Sequence, residues 1–332
     1  MITVAINGKQ EQEQQTNGVR KKTSFVRSQL VLFQSRKKFA FLYCLATVTG
    51  LFCLPGVLSE LSSSGPDLLT IVRMTLPLPL SSLLVTAGTY ILNDLVDVDL
   101  DRANGKKRPI PSGLASKKQA RIFVVLAFGM AVLITAITLR PASLIVLSLM
   151  LVIGIAYSAP KVALMKRFMI KTSSIAIFYI LCALLGMTSA YSLDLAINNP
   201  ILVTSVFLTL ALMVFISSTL NDMGDIDGDK AVGRRTIPIV IGKDGTLKLT
   251  TILAASILAL TWIFYGAILV TGNEGSLVTT ITTTVIALIV MMTLCRMRHG
   301  QRNAEFMRRQ HKKLFPFQMA VHPCLVIGFF ML

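Results

Sequence analysis

The chain has 332 residues, of which 53% are apolar and only 15% charged, and its mean hydropathy is +0.68. Because a soluble domain carries about 25% charged residues, this composition excludes an ordinary soluble protein and indicates a membrane protein. The formal net charge is +17, and the position of the basic residues decides what that charge means.

In chain order, the first 38 residues are polar and rich in Gln, Asn and Lys. We expect them to form a disordered cytoplasmic tail over 1–38, followed by one transmembrane domain over 39–332. Apolar runs of roughly 20 residues then recur, the length of a helix that crosses a hydrocarbon core of ~30 Å. Because lipid offers no partner to free backbone groups, the sequence predicts an all-α membrane protein with about nine transmembrane helices. They lie near 39–58, 70–92, 121–139, 142–159, 172–192, 199–220, 249–271, 277–295 and 315–332.

The basic residues predict the orientation. With nine spans, all but two of the 33 Lys and Arg lie in the tail or in loops on the side of the N-terminus, the exceptions being Arg73 and Arg140. Cytoplasmic loops are enriched in Lys and Arg, so we place the N-terminus and these loops in the cytoplasm and the C-terminus on the opposite side. This distribution explains the net charge without a nucleic-acid partner.

A short acidic motif occurs twice. Residues 93–105 read NDLVDVDLDRANG and residues 221–233 read NDMGDIDGDKAVG, and together they hold half of the 16 acidic residues. Both follow the pattern N-D-x-x-D-x-D-x-D-[RK]-A-x-G, and Asp94 and Asp222 are 128 positions apart. Four predicted helices separate the copies, so both emerge on the cytoplasmic side and form a parallel internal repeat.

The spacing within the motif predicts a metal site. Asp97 and Asp101 share one helix face, as do Asp225 and Asp229, and like charges four residues apart are unfavourable unless a cation compensates them. Two such faces meeting across a cavity would offer the hard oxygen ligands that Mg²⁺ prefers. We expect Asp99, and its counterpart in the second copy, to lie on the opposite, solvated face.

Basic residues follow each motif, and a third cytoplasmic loop, YSAPK at 157–161, adds further ones. A departing diphosphate needs several cations in addition to metal. The positive-inside rule also explains these residues, so two interpretations stay open. The residues concerned are Arg102, Lys107, Arg108, Lys161, Lys166, Arg167, Lys230, Arg234 and Arg235. Lys161 favours diphosphate binding, because its loop lies at the same membrane face between the two acidic ones.

The chain resembles the UbiA superfamily of intramembrane prenyltransferases. The first motif with the RPIPSG run at 108–113 is similar to one family signature, and the second with Gly233 and TIP at 236–238 is similar to the other. Tyr157-x-x-x-Lys161 resembles the family's tyrosine–lysine loop. The resemblance covers the chain from about residue 30 onward. Many members open the first helix with an Arg-Pro pair, whereas this chain has SRKK at 35–38, where Arg36 would face the diphosphate.

The resemblance implies nine helices around a central cavity with a lateral opening to the lipid bilayer. It also implies Mg²⁺ as cofactor, an isoprenyl diphosphate as donor, and a hydrophobic acceptor of unknown identity, aromatic or a lipid precursor. The implied metal ligands are Asn93, Asp94, Asp97, Asp101, Asp222, Asp225 and Asp229. The implied diphosphate-binding residues are Arg36, Arg102, Arg108, Lys161, Lys166, Lys230 and Arg235. The implied catalytic residues are Lys161, Tyr157, Asp101 and Asp229.

The implied reaction ionises the diphosphate to an allylic carbocation shielded from water by apolar helices. Tyr43, Phe178 and Tyr179 could stabilise that cation through their ring faces, although packing alone would also account for them. A terpene cyclase that uses no acceptor would carry the same motifs, so it remains an alternative. A secondary transporter is a more distant one, because the spans hold almost no carboxylates at mid-depth. The RPIPSG run favours members that use geranylgeranyl groups.

Overall fold

The computed structural model describes residues 24–53, 68–103, 106–189, 198–270, 276–300 and 303–330. Regular structure in these ranges is helical, as predicted. A 3₁₀ turn at Leu164–Lys166 accompanies the α-helices. The helices are α1 Phe25–Phe52, α2 Leu68–Thr75, α3 Pro77–Val96, α4 Val98–Ala103, α5 Lys117–Ile137, α6 Pro141–Ser158, α7 Ile170–Met187, α8 Pro200–Met223, α9 Ile226–Ala231, α10 Ile237–Val270, α11 Leu277–His299 and α12 Ala304–Phe330.

Seven helices of the described chain are long and apolar enough to cross a membrane. They correspond to the predicted spans from the second to the eighth. The first and last predicted spans fall in the C-terminal halves of α1 and α12, helices of 28 and 27 residues whose N-terminal halves carry many charges. The nine-helix count therefore stays a prediction, while the multi-pass helical fold is confirmed. The seven run over Ile71–Val96, Lys117–Ile137, Pro141–Ser158, Ile170–Met187, Pro200–Met223, Ile237–Val270 and Leu277–His299.

The first helix starts before the predicted tail boundary at residue 38. Helix α1 begins at Phe25, so residues 25–38 are helical, and the rest of the predicted tail up to residue 23 lies outside the described residues. Leu32 explains the difference, because its side chain is fully buried against Ile91 and Val98 beside the first acidic motif. Burial of such apolar side chains, rather than the local charge density, decides where the helix starts.

The long helices pack as a closed ring. Helix α1 contacts α3, α7 and α12; α3 contacts α5 and α6; α7 contacts α6 and α8; and α8, α10, α11 and α12 complete the circuit. In this ring α1 precedes the helix that carries the first motif, and α7 precedes the helix that carries the second. The two halves of the repeat therefore have matching neighbours.

Helices α1 and α7 touch backbone to backbone at two glycines. A Cβ atom on Gly50 would lie 1.8 Å from the carbonyl oxygen of Ala183, and one on Gly186 would lie 1.9 Å from that of Thr47. Small residues at helix contacts of this kind allow the close packing on which helix association in membranes depends. The contact holds the two halves of the repeat together at the centre of the ring.

The helix ends differ from the predicted spans where the motifs lie. Helix α3 continues to Val96, beyond the predicted end at 92, so Asn93 and Asp94 belong to its last turn. Helix α10 begins at Ile237, not near 249, and bends at Gly242, whose φ of 73° a residue with a side chain rarely adopts. The segment between α9 and α10 is therefore only five residues, 232–236.

Candidate functional site

Each acidic motif begins on the last turn of a long helix and continues into a short one. Asp97 lies between α3 and α4, and its backbone N–H donates to the carbonyl of Asn93 at 3.0 Å while its own carbonyl accepts from Asp101 at 2.8 Å. Asp225 lies between α8 and α9 in the same way, and its carbonyl accepts from the backbone N–H of Asp229 at 2.9 Å. The repeat in the sequence is therefore also a repeat of local structure.

The carboxylates of the motifs fall into a buried and an exposed set, and the spacing predicted that Asp99 and Asp227 would be exposed. Asp94, Asp101, Asp222 and Asp229 are at most 4% exposed and Asp97 is 8% exposed. Asp225 is half-buried, whereas the alternate positions Asp99 and Asp227 are exposed to solvent. Carboxylates as deeply buried as these need partners, and the described residues supply them from both halves of the ring.

Two basic residues at the same position of the repeat link the copies reciprocally. Arg234 binds Asp229 of its own copy at 3.1 Å and both oxygens of Asp97 in the other copy at 2.5 and 2.6 Å. Lys106, 128 positions earlier, lies 3.8 Å from Asp101 of its own copy and 3.7 Å from Asp225 of the other. The two motifs therefore meet face to face.

Four further cations surround this centre. Arg36 of α1 binds Asp94, with its Nε donating to Oδ2 at 2.8 Å. Arg108 donates to Asp94 Oδ1 at 2.7 Å and also binds Asp101. On the other side, Lys171 of α7 binds Asp222, and Arg308 of α12 donates to Asp225 at 2.9 Å.

Of the predicted diphosphate-binding residues, Arg36 and Arg108 lie in this charge cluster. Arg102 is exposed, and among the described residues it pairs with Asp99, which is also exposed, at 3.2 Å. The remaining four are exposed, and in the described part of the chain their side chains make no ion pair or hydrogen bond. These four are Lys161, Lys166, Lys230 and Arg235.

The loop after Tyr157 nevertheless contacts both motifs. Met165 is buried, and its sulfur accepts from Asn93 Nδ2 at 3.2 Å and lies 3.6 Å from Arg234 Nη2. The backbone N–H of Arg235 donates to the carbonyl of Lys166 at 3.0 Å. Tyr157 itself is half-buried at the end of α6, close enough for Lys171, Asp222 and Arg234 to act on it electrostatically. The third predicted loop therefore belongs to the site through its backbone and Met165.

Four cations of the cluster are absent from the predicted diphosphate-binding residues. That set contains Arg235 and not its neighbour Arg234, which was considered only as one of the basic residues after the second motif, although the repeat register pairs Arg234 with Lys106. Lys106 was not among the predicted residues. Arg308 and Lys171 lie on helices far from either motif, and the sequence carries no spacing that would bring them to it.

An aromatic cluster lies beside the charge cluster. Arg36 lies over the ring of Tyr90, 5.5 Å from its centroid, and Tyr90 is one turn before Asp94 on α3. Tyr43 packs edge-on against Tyr90 at 6.2 Å, Phe178 at 5.7 Å and Tyr179 at 4.8 Å. The predicted aromatic residues therefore form one group, and Tyr90, which was not predicted, joins that group to the acidic motif.

Burial and the oppositely charged neighbours shift the pKa values of Asp101 and Arg234, two groups outside the spans, in opposite directions. Burial raises the pKa of Asp101 above its ordinary value, and the nearby Asp94 and Asp97 carboxylates raise it further, while Arg108 and Lys106 oppose the shift. Burial would lower the pKa of Arg234, but its pairing with Asp97 leaves that pKa raised. Arg234 therefore stays charged.

The donor set suits a magnesium ion, although the carboxylates are paired with cations. Among the described residues, no three Asp, Glu, His or Cys side chains converge in a geometry that could hold an ion. The available donors are hard carboxylate oxygens, as Mg²⁺ prefers. One of them, Asp222 Oδ2, is buried and has no hydrogen-bond partner among the described residues. Binding of an ion would require the carboxylates to exchange their basic partners for it.

Comparison with known proteins agrees with the motifs and the fold. The model of the UbiA prenyltransferase family matches residues 46–315. The chain belongs to this family. A solved UbiA homologue from Archaeoglobus fulgidus bound to GPP and Mg²⁺ superimposes with a TM-score of 0.63 at 18% identity, covering 89% of this chain and 99% of the homologue. At that identity the likeness shows the fold alone.

Curated relatives of this UbiA family member match over about half of its length. A digeranylgeranylglyceryl phosphate synthase from Methanopyrus kandleri is 29% identical over 188 residues, 55% of this chain and 64% of the relative. A homogentisate phytyltransferase from Synechocystis is 32% identical over 165 residues, 49% of this chain and 53% of the relative. The chain thus spans less than two thirds of each of these relatives.

Proposed function

We propose that this UbiA family member catalyses magnesium-dependent transfer of an isoprenyl group from a prenyl diphosphate to a hydrophobic acceptor within the membrane. The observation that carries the proposal is the reciprocal contact of the two acidic motifs through Arg234 and Lys106. Two clusters of carboxylates meeting at one end of an apolar helical bundle are the arrangement that a charged diphosphate with a long apolar tail would require.

The proposed roles follow from charge and position. Asn93, with the carboxylates of both motifs, would hold Mg²⁺, which when bound neutralises the diphosphate and makes it a better leaving group. The carboxylates are Asp94, Asp97, Asp101, Asp222, Asp225 and Asp229. Arg36 and Arg108 already lie in the charge cluster and would bind phosphate oxygens. Lys161, Lys166, Arg102, Lys230 and Arg235 are proposed to approach the anion from the exposed side.

In the proposed reaction the bond between the prenyl carbon and the diphosphate oxygen breaks, and the diphosphate leaves with the bonding electrons. The allylic cation that remains would lie against the aromatic cluster that contains Tyr43, Tyr90 and Phe178, where ring faces would stabilise it. The acceptor then forms a bond to that carbon and loses a proton to the released diphosphate or to Asp101 or Asp229. Tyr157, beside Asp222, would orient the leaving group.

We propose to test first whether the chain transfers a twenty-carbon geranylgeranyl group to a lipid precursor. The relative from Methanopyrus kandleri is named for a geranylgeranyl product, and the RPIPSG run at 108–113 favours the same donor. The cleft of about 540 Å³ between α1 and α12, lined by apolar side chains such as Phe41, Leu45 and Val326, offers an apolar surface close to the aromatic cluster.

The test is mass spectrometry of products formed by the purified chain in lipid nanodiscs. Geranylgeranyl diphosphate and Mg²⁺ would be supplied with a glycerol-phosphate prenyl ether, with homogentisate, or with no acceptor. A prenylated acceptor that forms with Mg²⁺ and not with EDTA supports the proposal. A hydrocarbon released without acceptor would identify a cyclase instead, and intact diphosphate in all reactions would contradict both.

A further inference from the structure

The internal repeat extends to a pair of buried cations outside the motifs. In the first half, Arg36 of α1 binds Asp94 on α3. In the second half, Lys171 of α7 binds Asp222 on α8. Asp94 and Asp222 occupy the same motif position, and α1 and α7 each precede and contact the helix that carries it. Lys171 therefore occupies in the second half the place that Arg36 occupies in the first.

Fold stability does not explain a lysine at this position. The Lys171 side chain is 9% exposed and lies in the first turn of α7, where the helix dipole disfavours a cation. Burial of the ammonium is also unfavourable without full pairing. Buried ion pairs are commonly no more stable than apolar side chains of similar size. A buried lysine here therefore points to a role in binding.

The two halves differ in how completely their carboxylates are paired. Asp94 uses both oxygens, because Arg36 binds Oδ2 and Arg108 binds Oδ1. The position that corresponds to Arg108 in the second half is Thr236, whose hydroxyl is buried and has no hydrogen-bond partner among the described residues. Asp222 Oδ2 is also buried and has no hydrogen-bond partner among the described residues. Because an unpaired buried polar atom is unfavourable, we expect each of the two atoms to take a polar partner when the site is occupied.

We propose that Lys171 is a substrate-binding cation, which Asp222 positions at the edge of the motif pair for the diphosphate. An ammonium has three donors, so Lys171 can keep its bond to Asp222 and donate to a phosphate oxygen as well. The N-terminus of α7 favours an anion at the same place, and Tyr157 and Asp229 lie close enough to act on the ammonium. This inference rests on the proposed function.

The first experiment measures binding of geranyl S-thiolodiphosphate, which does not ionise, to the detergent-solubilised chain with Mg²⁺. Lys171→Gln should bind it about 10- to 100-fold more weakly, the effect of losing one charge-assisted hydrogen bond. Lys171→Arg, which keeps the charge, should recover most of the affinity. The control is Lys118→Gln, an exposed lysine at the start of α5 that loses the same charge and should bind like the wild type.

A second pair of variants separates binding from folding, because Lys171→Gln leaves Asp222 without a partner. Asp222→Asn and the double variant Lys171→Gln/Asp222→Asn both lack that buried carboxylate. Inorganic pyrophosphate would be titrated into each in EDTA, where no metal contributes. Asp222→Asn removes a repulsive charge and frees the ammonium, so it should bind pyrophosphate about 10-fold or more tightly than the double variant.

The outcomes distinguish this inference from the proposed function. If the wild type does not bind the geranyl analogue with Mg²⁺, the proposed function is wrong and Lys171 has no diphosphate to bind. If the wild type binds it and Lys171→Gln binds it equally well, only the role of Lys171 is wrong. Equal binding of pyrophosphate by the two variants that carry Asp222→Asn, or binding by neither, also overturns the inference.

Discussion

The link between the two motifs predicts unequal effects for two equivalent substitutions. Arg234→Gln removes a side chain that is 11% exposed and binds Asp97 at 2.5 Å and Asp229 at 3.1 Å. Lys106→Gln removes its counterpart in the repeat, which is 31% exposed and lies 3.7–3.8 Å from its partners. The two variants remove the same charge from corresponding positions, so burial and distance are the main differences between them.

The burial of each side chain determines how much stability the corresponding variant should lose. Breaking a buried ion pair by removing one partner costs about 3–5 kcal/mol, because the other charge remains buried. A pair that is a third exposed contributes about 1 kcal/mol or less. At roughly 2 °C per kcal/mol, Arg234→Gln should lower the melting temperature by about 6 °C or more, and Lys106→Gln by about 2 °C or less.

A thiol-reactive dye can report this unfolding in detergent. Cys53 and Cys182 are fully buried and react only when the bundle opens, whereas the exposed Cys295 gives a constant background. Mg²⁺ without substrate should stabilise Arg234→Gln more than the wild type, since the freed Asp97 no longer has to exchange a partner for the ion. Equal melting temperatures for the two variants, or a larger loss for Lys106→Gln, would refute the reasoning.

Three further predictions follow from the motifs, the topology and one half-buried histidine, His311. Asp97→Ala and Asp225→Ala should each abolish Mg²⁺-dependent turnover in the product assay, and full turnover of both in EDTA would end the metal hypothesis. In a cysteine-free background, a single cysteine at Asn198 should be labelled only from outside the cell and one at Lys243 only from inside; the reverse pattern at either position would contradict the predicted topology. Burial lowers the pKa of His311 to about 4, so the unfolded chain, with an ordinary value of about 6.5, takes up a proton first as the pH falls. Between pH 6.5 and about 4 the melting temperature should therefore drop more in the wild type than in His311→Asn, and equal slopes would show that the histidine is solvated.

The sequence predicts much of this fold because lipid imposes simple rules. Runs of about 20 apolar residues can only be helices there, and the short gap between the predicted spans 121–139 and 142–159 matches the turn between α5 and α6. The start of α1 could not be predicted in the same way. It depends on Leu32 reaching a buried position on α3 and α4, a tertiary contact that local polarity conceals.

The sequence likewise predicts some features of the candidate site and not others. Spacing alone predicts which carboxylates are buried, because Asp99 and Asp227 fall on the opposite helix face. The cations that pair with the buried carboxylates could not be predicted from spacing, since Lys171 and Arg308 come from other helices. Arg234, and not the neighbouring Arg235, pairs with Asp97 and Asp229, because adjacent residues in a five-residue connection can point to opposite sides. The role of Arg235 in binding diphosphate stays a prediction.

The charge cluster has one more consequence, which concerns the order of binding. In the described part of the chain its six carboxylates are matched by six basic groups, so the cluster as a whole has no net charge. A divalent cation entering alone would leave two uncompensated positive charges in a region of low dielectric constant, and a diphosphate entering alone would leave an excess of negative charge. Each is therefore expected to raise the affinity for the other by the same factor, so that metal and substrate enter as a pair and neither accumulates at the site by itself.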